Sequence, residues 1–151
     1  ELHGAIIHRT GAICYNRQWH SANIYGSEPM TARTIVVTGT NAGIGRAIVE
    51  QFAAAGWNVA ATVRDPAAHA GLFAPYPNVR LFPLDVTDEA QAEALAAAVQ
   101  AAYGGADVLV NNAGALLMGP LETSSMAQIR AQFETNLLGL IMVTRAFLPQ
   151  L

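Results

Sequence analysis

Lysine is absent from this 151-residue sequence, and its absence removes several chemistries at once. A phosphate loop of the form G-x-x-x-x-G-K-[ST] uses that lysine to reach the phosphates, so the glycine-rich stretch described below is not one. All eight basic residues are arginines scattered from Arg9 to Arg145. No cluster or stripe exists to neutralise a phosphate backbone, which argues against a nucleic-acid partner. Cysteine occurs once, as Cys14; an internal disulfide is excluded, and a reducing, cytoplasmic location is expected. No apolar run reaches the roughly 20 residues that cross a bilayer, so no membrane partner is expected. The first residues from Glu1 also lack the basic region and apolar core of a secretory signal. Charged residues make up only 13% against 52% hydrophobic ones, a balance that fits one domain of parallel strands buried on both faces.

Residues 1–29 differ from the rest. They hold three of the four histidines, Cys14, one of two tryptophans and two of four tyrosines, with no period of 2 or 3.6. Met30 follows them and precedes the first regular strand, so it is expected to be the natural start, with residues 1–29 an extension outside the fold. The spacing of His3, His8, Cys14 and His20 is wider than zinc patterns, and no metal is expected.

From Thr34 the chain becomes regular. The apolar run Ile35-Val36-Val37 leads into Thr38-Gly39-Thr40-Asn41-Ala42-Gly43-Ile44-Gly45. A helix follows, in which Ile44, Ala47, Ile48, Phe52 and Ala55 recur at helical spacing until Gly56 stops it. A strand running through a glycine turn into a helix makes a phosphate site, because the first N–H groups of a helix are unpaired and its dipole end is positive. Gly39 turns the chain out of the strand, Gly43 lets backbone approach a pyrophosphate, and Gly45 lets the helix pack tightly on the sheet. Alone, the three glycines would also fit a plain packing turn.

The alternation continues. Strand two is Asn58–Val63, after which Asp65 can cap a short helix with Pro66 at its first position. Strand three is Val79–Leu84, placed at an edge by Pro83, which cannot donate to a ladder. Asp88-x-x-Gln91 has the spacing of a capping box for a helix from Glu89 to about Tyr103. Strand four, Val108–Val110, runs into Asn111-Asn112-Ala113-Gly114. Ser125-x-x-Gln128 caps a final helix to about Phe147, with Ile129, Phe133, Leu137, Leu140, Ile141 and Phe147 as its apolar stripe. The alternation predicts an α/β, Rossmann-like, doubly wound parallel sheet of order 3-2-1-4. Its ligand crevice falls between strands one and four.

The sequence resembles the first half of a short-chain dehydrogenase/reductase over residues 34–151, through T-G-x-x-x-G-x-G, Asp85-Val86 after strand three and N-N-A-G after strand four. The resemblance implies residues 30–151 as an incomplete NAD(P)-binding domain, truncated before strand five. Backbone groups of Gly39 to Ile44 would hold the pyrophosphate, with Thr40 and Asn41 near the adenosine ribose and Gly45 packing the helix beside them. Asp85 and Val86 would meet the adenine, and Asn112, Ala113 and Gly114 the ribose on the nicotinamide side, with Asn111 tying strands together. An NAD site carries an acidic residue at the end of strand two; here Val63 stands there and Arg64 beside it can fork onto a 2′-phosphate, favouring NADP over NAD. The plain alternative is that Arg64 pairs with Asp65.

Family enzymes transfer hydride between nicotinamide and a carbonyl or alcohol with a Tyr-x-x-x-Lys acid/base pair. Asn136 matches the asparagine of that catalytic set, although a backbone-satisfied amide would also account for it. The pair itself cannot occur without lysine. The expectation is therefore the cofactor half of an NADP-dependent oxidoreductase, inactive alone, with homo-oligomers forming through the last helix; the rival is a non-catalytic dinucleotide-binding module.

Overall fold

Valine and isoleucine dominate the central strands, and the sheet buries them from both sides. The computed structural model describes residues 6–8 and 32–151. Its five strands are β1 (Ile6–His8), β2 (Thr34–Val37), β3 (Asn58–Val63), β4 (Val79–Pro83) and β5 (Val108–Val110), with spatial order β1-β5-β2-β3-β4. β5, β2, β3 and β4 run parallel, Ile35 lying opposite both Val59 and Val108. These four give the expected order, with β4 at an edge and Pro83 as its last residue.

Residues 1–29, expected to lie outside the fold, contribute β1. Ile6–His8 pairs antiparallel with β5, Ile6 opposite Val110 and His8 opposite Val108. The β5 edge is thus covered over these residues; a row of unpaired backbone groups is a template for another strand. The set His3, His8, Cys14 and His20, and the start at Met30, lie outside the residues whose side chains are described.

Successive β2 residues point to opposite faces. Val36, with Ala60 and Leu109, packs under α2 (Glu89–Tyr103) and α4 (Leu140–Phe147) through Leu95, Val99, Val143 and Phe147. Ile35 and Val37, with Val59 and Ala61, pack against Val49 and Ala53 of α1 (Gly43–Ala54) and against Phe73.

The helices depart from expectation in their details. α1 buries Gly45, Val49 and Ala53 rather than Ile44, Ala47 and Ala55. Contact of Gly45 with the strand end fixes that line and leaves Ile44 51% exposed. After β3, Asp65 Oδ1 accepts from the Ala67 and Ala68 N–H groups, yet residues 66–75 form successive turns instead of a helix, with Gly71 at φ +88°. At α2 the Gln91 N–H donates to Asp88 Oδ1, but Gln91 Oε1 accepts from the Asp85 N–H instead of from the cap residue.

The final helix is three segments: α3 (Met126–Phe133), a wider π turn (Glu134–Gly139) and α4. The expected Ser125–Gln128 capping box is formed. Within the π turn Gly139 lies against Val86; a Cβ there would stand 2.9 Å from Val86 Cγ2 and 3.0 Å from its carbonyl oxygen. Phe147 of the apolar stripe is buried, whereas Phe133 is 60% exposed and Leu137 48%.

Candidate functional site

The carboxyl ends of β2, β3 and β5, with the segment after β4, converge on an open cleft of about 980 Å³. The glycine turn forms its floor. Gly39 has φ +68°, and a Cβ on it would stand 2.8 Å from Ala113 Cα; one on Gly45 would collide with the Gly39 carbonyl oxygen and the Asn112 amide. The turn is glycine because two strand ends and a helix start meet with no room for a side chain. α1 begins there at Ala42 with no side-chain cap and no acidic residue in its first turn. Its positive end and free N–H groups are therefore available to an anion.

A buried hydroxyl holds this arrangement. Thr38 Oγ1 accepts from the N–H groups of Asn112 and Ala113, both at 2.9 Å, and donates to the Val110 carbonyl at 3.4 Å. The Asn112 amide nitrogen donates to the carbonyls of Thr38 (2.8 Å) and Gly39 (2.9 Å). Asn112 is thus the residue that ties β5 to the turn, while Asn111 donates to Thr144 Oγ1 on α4. Thr40, expected near a ribose, is fully buried, and its hydroxyl donates to the Thr62 carbonyl. It pins the turn to β3 and does not line the cleft.

All the other expected cofactor-binding residues, Gly39, Asn41, Gly43, Ile44, Gly45, Arg64, Asp85, Val86, Asn112, Ala113 and Gly114, do line it. Asp85 Oδ1 accepts from both the N–H (3.0 Å) and the hydroxyl (2.7 Å) of Thr87. These bonds, the backbone one first, hold the carboxyl below the usual carboxylate range, with Arg64 adding to the effect and partial burial opposing it. Asp85 Oδ2 receives no hydrogen bond from the described residues. Arg64 is exposed and makes no hydrogen bond or ion pair with them, since Asp65 turns its carboxylate to the following N–H groups.

Asn136, which the resemblance places in the catalytic set, satisfies its side-chain amide on the backbone. Its Oδ1 accepts from the Ala115 N–H and its Nδ2 donates to the Ala115 carbonyl, both at 2.7 Å. The amide locks the π turn to the loop after β5, while its neighbours Glu134 and Thr135 line the cleft. His69, five residues after Arg64, also lines the cleft and has no counterpart among the expected site residues. Periodicity does not mark a loop residue; its closeness to Arg64 in sequence is the only signal pointing to it.

The short chain dehydrogenase family profile matches residues 33–151. The chain belongs to the short-chain dehydrogenase family. A relative in that family, the 3-amino-tetrahydro-pyrrolizinone reductase of Xenorhabdus hominickii, is 35% identical over 122 residues, which cover 80% of this chain and 42% of the relative. The structure of a short-chain dehydrogenase from Streptomyces avermitilis matches with a TM-score of 0.76 at 42% identity, over 81% of this chain and 45% of that one. NADPH-bound carbonyl reductase from chicken fatty liver matches with a TM-score of 0.73 at 31% identity, over 81% and 49%. This short-chain dehydrogenase chain therefore spans less than half the length of these relatives. Among its described residues no helix is long and apolar enough to cross a membrane.

Proposed function

We propose that this chain is the NADP(H)-binding half of a short-chain oxidoreductase that acts on a small carbonyl or alcohol. The observation that carries the reading is the exposed Arg64 guanidinium just after β3, without a hydrogen bond or ion pair to the described residues, beside Val63, which offers no acceptor to a ribose 2′-OH. The residues fit the cofactor: two backbone segments meet at Gly39 and Gly45 with no space for a Cβ, an uncapped helix start adjoins them, and Asp85 Oδ2 is open to an adenine amino group. When bound, the nicotinamide supplies or accepts the hydride; the residues of this chain bind and orient it. The NADPH-bound state of the chicken reductase supports the cofactor assignment. The exposed Phe133, Leu137 and Ile141 support association of copies through the final helix, in the cytoplasm that the lone Cys14 suits.

Arg64→Ala should weaken NADPH binding about 10- to 100-fold, as expected for loss of a forked, charge-assisted pair with phosphate. NADH affinity should stay within about twofold, since it lacks the 2′-phosphate. Calorimetric titration of both cofactors checks this, and equal losses for the two would refute the assignment. The lysine-free chain should also bind NADPH without oxidising it when carbonyl substrates are added, because it has no Tyr-x-x-x-Lys pair to handle the proton. Steady decay of NADPH absorbance on adding a ketone to the purified chain would overturn that expectation.

A further inference from the structure

We propose that His69 is a second ligand for the 2′-phosphate. The inference rests on the NADP(H) reading above and extends it to a residue that the glycine and Asn-Asn-Ala-Gly patterns do not include. Three observations carry it. First, His69 and Arg64, both in the segment after β3, line the same cleft. Second, His69 Nδ1 lies 2.9 Å from the Asp65 carbonyl oxygen. A carbonyl can only accept, so Nδ1 holds a proton and donates, and Nε2 is the nitrogen left over. Third, the loop is fixed: Asp65 Oδ1 accepts from the Ala67 and Ala68 N–H groups, and the His69 N–H donates to the Pro66 carbonyl. The imidazole is thereby held against the backbone of the residue that follows Arg64.

An imidazole anchored through Nδ1 becomes a second donor, and a cation, only when Nε2 gains a proton. The charged groups around it divide in sign. Arg64 is permanently positive, while Asp65 beside it, Asp85 after β4 and Glu134 on the π turn are carboxylates lining the same cleft. Asp65 is engaged with N–H groups and Asp85 with Thr87, so a 2′-phosphate brings to this cleft an anion to which Arg64 and His69 can both turn.

The test titrates NADPH and NADH calorimetrically into the intact chain and into His69→Gln near neutral pH. We expect the substitution to weaken NADPH about three- to tenfold and to leave NADH unchanged. A His69 that only braces its turn would instead lower the thermal midpoint and weaken both cofactors equally, overturning the inference. An unchanged NADPH/NADH ratio in His69→Gln, with the ratio lost in Arg64→Ala, would also overturn it while leaving the NADP(H) reading intact. Failure of the unsubstituted chain to prefer NADPH would overturn both.

Discussion

Gly45→Ala is expected to abolish dinucleotide binding and to lower stability by about 1–3 kcal/mol, the usual cost of inserting a methyl where there is no space. The new Cβ would occupy the position of the Gly39 carbonyl and the Asn112 amide. Neither neighbour can step aside. The Gly39 carbonyl is part of the turn itself, and the Asn112 amide is held by two carbonyls at 2.8 and 2.9 Å. The start of α1 must move away from the sheet, carrying its free N–H groups out of the cleft. Gly43→Ala is the informative partner. Gly43 has φ +59° but a Cβ on it would meet nothing within 4 Å, so its stability cost should be only the left-handed strain of about 1–2 kcal/mol. Binding should still fall, because the methyl stands where backbone would approach the pyrophosphate. Urea denaturation with parallel NADPH titration separates the two, and a Gly45→Ala protein with full stability and affinity would contradict the packing described.

Thr38→Val should cost about 2–4 kcal/mol although it keeps the shape of the side chain. Two backbone N–H groups, those of Asn112 and Ala113, point at the single Thr38 hydroxyl, which is 1% exposed. Replacing the oxygen by a methyl leaves both donors without their acceptor, at roughly 1–3 kcal/mol each where water cannot reach; half-burial of the two residues sets the total toward the lower end. Thr38→Ser retains the hydroxyl and should lose only about 0.8 kcal/mol for one methyl. The denaturation midpoints of the two variants should therefore be well separated. Coincident midpoints would mean that the hydroxyl does not organise the strand ends.

Features written in local pattern were legible in the sequence. The alternation of strand and helix outside residues 66–75, the edge position of β4 and the Ser125 cap each follow from neighbouring residues and came through intact. The glycine turn was legible because φ and close packing restrict residue type directly. What the sequence hid was the assignment of polar groups to partners. Thr40 and Asn112 carry side chains suited to a ribose, yet both satisfy backbone carbonyls that only the folded sheet brings within reach. Ile44 continues the apolar period of α1 but turns to the cleft, because the tightest contact runs through Gly45. The π turn at Glu134–Gly139 shifts the helical register that the apolar stripe of the final helix assumes. The pairing of Ile6–His8 with β5 was not legible either, since three residues are too few to show a strand period.

The start of α1 has a further consequence. α2 and α3 are capped by their own side chains, Asp88 and Ser125, whereas α1 opens at Ala42 with none. A side-chain cap there would contribute about 1 kcal/mol. Completion of this helix is left to whatever anion settles at its first turn, so part of the folding free energy resides in the surrounding solution. A dinucleotide at a hundred times its dissociation constant would add about 2.7 kcal/mol to the folded state. The thermal midpoint of such a protein reports the supply of its cofactor as much as the quality of its core.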